Sequence, residues 1–419
     1  MSVFTDMESE VRSYSRAWPT VFTVARGSEL RDETGRTYLD FFAGAGALNY
    51  GHNPPELKPA LLEYLADDGI THGLDMHTAA KGAFLEHLRD LVLAPRGLDH
   101  RVQFPGPGGT NAVEAALKLA RKVTGRHKVG YFERGFHGMT LGALAVTANP
   151  VKRAAAGVPL PHAVPMPFDH LADDDERAVT RLLRSLEEAS ADGPLAAVVV
   201  ETVQGEGGIN PARPAWLKAL ASWTGVRGTL LVVDDIQMGC GRTGPFFSFE
   251  SAGITPDIIC LSKSISGYGM PMALTLMRPE YDVWQPGEHN GTFRGYNPAF
   301  VTAARALEVF WSDHTLQSRT VTLGERVRRS LTGTADRHGL PGPRGRGLAW
   351  GLPLERPAAA RAVCDAAYRA GLLLETAGPR DEVVKLLPPL TVTDGELERG
   401  LAILDETVAT VVSSRALAA

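Results

Sequence analysis

A single lysine, Lys263, stands in "LSKSISGYG" (261–269), directly behind the apolar run "DIICL" (257–261). Burying an ammonium is costly, so a charge at the end of a buried strand must be paired, neutralised or used chemically. A similar position occurs upstream, where "LLVVDDIQMG" (230–239) ends an apolar run on Asp234 and Asp235. One of these carboxylates must face the crevice beyond the strand ends, where α/β proteins bind ligands, although adjacent acids also cap turns. A third stretch, "GPGGTNAVEAALK" (106–118), places Gly106, Gly108, Gly109 and Thr110 before a helical pattern that starts at Asn111. Free N–H groups at a helix start, approached closely because glycine lacks a Cβ, bind an anion well. An ordinary capped helix explains the same letters.

Taken together these parts have a common chemistry. An imine-forming lysine, an acid opposite a pyridine nitrogen and a phosphate cup are what a pyridoxal 5'-phosphate enzyme requires. The ring draws off carbanion charge only while its nitrogen keeps a proton, and a facing aspartate raises that nitrogen's pKa. Another glycine-rich match is rejected. "GCGRTG" (239–244) fits the dinucleotide pattern in letters, but "PFFSFE" follows where that motif needs a helix. The Lys-Ser/Thr pair of a nucleotide-binding loop is missing from 106–118 as well.

The elements that must position these groups alternate. "KVGYF" (128–132), "AAVVVETV" (196–203), "TLLVVDD" (229–235), "DIICLS" (257–262) and "ALTLM" (273–277) read as strands buried on both faces. Helical patterns at 111–125 and 214–225 lie among them, which argues for a mostly parallel sheet flanked by helices. The opening, 20–41, reads as antiparallel ribbon. After about residue 296 come a helix at 297–311, a long polar helix, strands in "GLAWGLPL" and "GLLLETA", and a final helix over roughly 394–412. The expected division is an N-terminal segment (1–50) that joins a smaller α+β domain (296–419), with a large cofactor-binding domain (51–295) between them.

Composition narrows the partners. Of 419 residues 44% are hydrophobic, enough for a large core, and the net charge of −5 without a basic block argues against nucleic acid. No stretch is long and apolar enough for a membrane helix, and the first sixteen residues lack a signal-peptide core. Cys240, Cys260 and Cys364 are too scattered for disulfides or a zinc site and read as buried hydrophobes in a reducing cytoplasm. No metal is expected.

Several stretches carry a resemblance: "FFAGAGALNYGHN", "GTNAVEAALKLARKVTGR", "GFHGMTLG", "ETVQGEGGIN", "VDDIQMGCGRTGPFFSFE", "LSKSISGYGMPMALTL", "PGEHNGTFRGYNPAF" and "LLPPLTV". With these the chain resembles the class III, fold-type I aminotransferases over nearly its whole length. It looks most like the diaminobutyrate–2-oxoglutarate aminotransferases of ectoine biosynthesis. The resemblance implies an α/β fold with a large, mostly parallel, seven-stranded sheet between helices. It also implies a homodimer with sites at the subunit interface. By the same resemblance Lys263 would hold the coenzyme and move the substrate proton, and Asp234 would pair with the ring nitrogen. Gln237 would approach the ring hydroxyl, Phe136 would stack on the ring, and Gly109 and Thr110 would hold the phosphate. Thr292 would reach the phosphate of the neighbouring subunit.

Four positions depart from the family's pattern. Gly108 replaces a hydroxyl in the phosphate turn, and Thr202 stands where many relatives have proline. Met139 and Lys385 occupy positions where ornithine and 4-aminobutyrate aminotransferases carry arginine. Lys385 lacks the bidentate fork that holds a carboxylate firmly. In ornithine-type relatives the glutamate matching Glu206 masks an arginine and moves aside for dicarboxylates. A Glu206–Lys385 switch is therefore expected at the substrate side. The implied reaction moves an amino group from glutamate to aspartate 4-semialdehyde. Another ω-amino acid or aldehyde is the alternative, and a catalytically silent scaffold is disfavoured because it has no need of Lys263.

Overall fold

The structure, a computed structural model, describes residues 3–169, 174–354 and 356–416. Its centre is a seven-stranded sheet in the order Arg101–Gln103, Leu274–Met277, Ile258–Leu261, Leu230–Asp234, Ala197–Val200, Val129–Phe132, Ala163–Met166. Only Leu274–Met277 runs antiparallel to its neighbours; the other pairings are parallel. Five of these strands match the apolar runs, and every residue of those five is buried. The two edge strands escape sequence reading because they are short and only partly buried, so neither carries a continuous apolar run.

Helix Gly109–Thr124 begins two residues before its apolar pattern and stops at Gly125, whose φ of 68° suits glycine. Its buried face is largely alanine (Ala112, Ala115, Ala116, Ala120). Small side chains let the helix lie close on the sheet, and Thr275 donates a hydrogen bond to the Ala112 carbonyl at 3.2 Å. Helix Pro214–Arg227 covers the opposite face through Trp216, Leu217 and Leu220, in the larger of the core clusters.

Two four-stranded sheets flank this layer. The ribbon Phe22–Arg26, Glu29–Asp32, Thr37–Asp40 is completed in parallel by Leu372–Leu373. The second sheet runs Arg344–Arg346, Ala349–Pro353, Val383–Leu386, Glu375–Ala377. "GLLLETA", expected as one strand, thus serves two sheets. Leu374 between the halves is buried, so the break is a change of partner and not an exit to solvent. The last helix runs further than its pattern, over Asp394–Ala416. No helix among the described residues is long and apolar enough to cross a membrane.

"GCGRTG" forms a turn and opens no helix. Its Arg242 is fully buried and donates to the Leu348 carbonyl (3.0 Å) and to Asn49 Oδ1 (2.6 Å). The motif ties distant segments together.

Candidate active site

Four consecutive strands of the main sheet end around one cavity of about 190 Å³. Phe136 and His137 follow Val129–Phe132, Glu201 follows Ala197–Val200, Asp234 closes its own strand, and Lys263 comes two residues after Leu261. Successive parallel strands all point the same way, so their C-terminal loops converge on one edge of the sheet. Of the other expected residues, Gly109, Thr110, Gln237 and Glu206 line the cavity, and Thr292 and Lys385 do not.

Lys263 holds a left-handed backbone, φ 53°, at the start of the short helix Lys263–Ser266. Such a conformation costs a lysine roughly 1–3 kcal/mol and is typical of functional sites. Burial pushes its amine down from the ordinary value, opposed by Glu206 and reinforced by Lys385. The amine has no hydrogen-bond or ion-pair partner among the described residues. A half-buried amine without such a partner, its pKa lowered by burial, gives up its proton more readily and can then attack a carbonyl carbon.

The two aspartates separate cleanly. Asp234 faces the cavity and accepts from the Ile236 amide at 3.2 Å, and His137 Nδ1 lies 2.7 Å from its Oδ2. Asp235 points away, bound by the Ser248 amide (3.0 Å) and hydroxyl. Burial raises Asp235 to about 7, with the Ser248 hydrogen bonds opposing. Burial also pushes the His137 imidazole down, but the hydrogen bond and charge of Asp234, joined by Glu201, outweigh it and raise its pKa.

His137 and Glu201 were not singled out from the sequence, although both lie inside stretches that carry the resemblance. Glu201 accepts from the Phe136 amide (3.0 Å) and the Gly205 amide (3.2 Å), which fixes the loop bearing Phe136. Burial lifts its carboxyl to about 7. Gln237 donates through Nε2 to the Ala45 carbonyl (2.9 Å) and to Glu206 Oε1 (3.1 Å). Its Oε1 is buried without a partner. A Cβ at position 205 would collide with that oxygen, so a larger residue there would push the Gln237 side chain out of place.

At the helix start, Asn111 Oδ1 accepts from the Gly108 amide at 3.0 Å, leaving the Gly109 and Thr110 N–H groups toward the cavity side. The Thr110 hydroxyl is already engaged. Thr140 gives its proton to Glu114, so Thr110 must donate to Thr140 Oγ1, 2.7 Å away.

Lys385 lies behind Glu206, completely buried. Its Nζ is 2.6 Å from Glu206 Oε1 and 2.8 Å from Glu375 Oε1, a second carboxylate the sequence did not announce. Burial opposes ionisation of Glu206, but Lys385 overrides it and holds that carboxyl down at about 2; burial dominates at Glu375, raised to about 7. Thr292 is not among the cavity residues; it sits exposed in the short helix Thr292–Gly295, its carbonyl 2.6 Å from His72 Nε2.

An unpaired amine sharing a cavity with a buried carboxylate, at the mouth of a parallel sheet and beside a bare helix start, defines an enzyme of amine–carbonyl chemistry. The chain belongs to the class III aminotransferase family, whose model matches residues 12–408. It is 62% identical over 412 residues to a diaminobutyrate–2-oxoglutarate transaminase of Nocardia farcinica, covering 98% of this chain and 94% of that one. A protein of the same name from Vibrio cholerae is 50% identical over 410 residues, covering 97% of this chain and 100% of that one. Among solved structures, an ornithine aminotransferase of Toxoplasma gondii superposes with a TM-score of 0.85 at 27% identity (98% and 94% covered). An amine transaminase from an uncultivated Pseudomonas species gives 0.86 at 25% identity (97% and 98% covered).

Proposed function

We propose that this enzyme uses pyridoxal 5'-phosphate to transfer the amino group of L-glutamate to L-aspartate 4-semialdehyde, giving 2-oxoglutarate and L-2,4-diaminobutyrate on a cytoplasmic route to ectoine. The relatives named for this conversion, 50–62% identical over nearly the whole chain, support the substrates. The observation that carries the chemistry is Lys263, unpaired in the cavity that Asp234 closes.

The residues fit the cofactor. Gln237 offers a buried oxygen with no partner, suited to a ring hydroxyl, and the Gly109 and Thr110 amides offer donors to a phosphate. When bound, the coenzyme supplies an electron sink for the substrate's carbanion charge. Lys263 would hold it through its amine and would move the proton at the reacting carbon. Asp234 would keep the ring nitrogen protonated, and His137, 2.7 Å from its Oδ2, fixes the carboxylate's orientation. Phe136, anchored through its amide by Glu201, covers the ring face and excludes water. Thr292 completes the phosphate site of a neighbouring subunit, which makes the working unit a homodimer. Glu206 and Lys385 border the substrate side, closed for the ω-amine half-reaction and opened for glutamate.

Adding glutamate to the purified holoprotein should bleach the cofactor's visible band, and aspartate 4-semialdehyde should restore it with formation of diaminobutyrate. A protein that ignores glutamate, or recovers only with a different aldehyde, refutes this assignment.

A further inference from the structure

Glutamate brings a carboxylate remote from its reacting carbon, and a buried carboxylate needs a cation. Lys385 is poorly placed to be that cation. It is fully buried and holds Glu375 as well as Glu206, so departure of Glu206 leaves Lys385 still paired with Glu375. Met139, at the position where arginine-bearing relatives hold a carboxylate, is apolar.

A second cavity of about 320 Å³ adjoins the first and shares Phe136 and Glu206 with it. Two cations line it, Lys152 and Arg134. Neither side chain has a hydrogen bond or ion pair among the described residues. Lys152 is half-buried in the short helix Pro150–Ala154, and its ammonium sits 4.4 Å from the centroid of the Phe136 ring. It therefore stands at the wall between the two cavities, partly shielded from water by an aromatic face. Arg134 is exposed further out. Of the two carboxylates lining this space, Glu206 is committed to Lys385, and Asp381 is exposed with Arg361 3.8 Å away.

We propose that this second cavity is the subsite for the remote carboxylate of the amino donor, with Lys152 as its ligand. The assignment rests on the transaminase reading above and names a residue that reading leaves open. Glu206 then acts through charge: while it faces the cavity it repels a dicarboxylate, and its withdrawal lets the anion reach Lys152. Lys385 stays paired with Glu375 throughout.

The test uses holoenzyme carrying Lys152→Met, Lys152→Arg or Lys385→Met, with glutarate, an unreactive dicarboxylate, as the calorimetric probe. Lys152→Met should weaken glutarate binding and raise the KM for glutamate about 10- to 100-fold, the range for one charge-assisted contact, while the limiting rate moves far less. Lys152→Arg should recover most of the loss. Unchanged glutarate affinity and glutamate KM in Lys152→Met overturn the proposal, as does a loss confined to Lys385→Met, which would return the role to that residue. Wild-type holoenzyme that fails to bleach with glutamate instead removes the underlying assignment of function.

Discussion

His137 Nδ1 lies 2.7 Å from Asp234 Oδ2, and both side chains are buried. The carboxylate proposed to face the ring nitrogen is thus pinned from behind by a group whose pKa its charge raises. Neutralising Asp234 removes the field that keeps a ring nitrogen protonated. Asp234→Asn should retain the cofactor and lower turnover by about 10²- to 10³-fold, in the range seen when one preorganised electrostatic contact is lost. Asp235 cannot substitute, since Ser248 holds it facing away. Steady-state kinetics with a cofactor titration check this; near-wild-type turnover would remove Asp234 from its role.

Lys263 is the cavity's free amine, so it should be the covalent anchor. Borohydride reduction of the holoprotein followed by peptide mapping should place the pyridoxyl group on Lys263. Lys263→Ala should show no reducible attachment. A label on Lys152 or Lys385 would contradict both this and the subsite described above.

The carboxylates around the site give a defined pH dependence. Glu375, Glu201 and Asp235 are each raised to about 7 from ordinary values near 4, chiefly by burial. A raised folded pKa contributes stability that is complete below the unfolded value and disappears as pH climbs through the folded one. These three groups therefore make the protein more stable near pH 5 than at pH 8. Glu206, lowered to about 2, works in the opposite sense, and its contribution is lost only as pH falls from about 4.5 through 2. Glu375→Gln should shrink the difference in thermal midpoint between pH 5 and pH 8 by about 1–3 °C. An identical difference in the variant would place Glu375 outside this balance.

Around Thr292 the chain exposes Leu74, Met76 and Phe293, a cluster of large apolar side chains on the surface. Burying them against a second copy would place Thr292 at another subunit's site. Sedimentation should show a dimer, and Phe293→Asp should shift it toward monomer with weaker cofactor retention. A monomer with full activity would exclude the shared site.

Strand ends were legible because the apolar runs stop where charges begin: Lys263 and Asp234 stood out by contrast with "DIICL" and "LLVV". Glu201 shows the same contrast behind "AAVVV", but reading 196–203 as one buried strand ran past it, whereas the strand stops at Val200. His137 sits in a loop of mixed letters, where a lone histidine reads as solvated surface. Glu375 was hidden for another reason. In "LLLETA" a lone glutamate beside threonine reads as a polar strand end, yet its side chain is 10% exposed.

The sequence by itself determined five of the seven strands of the main sheet, the helices at 111–125 and 214–225 among them, and which residue types reach the sheet's C-terminal edge. These are local matters of periodicity, glycine placement and the cost of burying charge. Which aspartate faces the cavity was a choice between adjacent residues, and only the position of Ser248, brought in by a later loop, decided it. The partners of Lys385 are further apart still: Glu206 lies 179 residues away along the chain, and Glu375 arrives on the neighbouring strand. Local preference cannot specify such contacts. They exist because strand pairing brings Glu375 beside Lys385 and packing of the chain around Glu206 brings the second carboxylate, and a buried ammonium is tolerated only where such contacts deliver carboxylates to it.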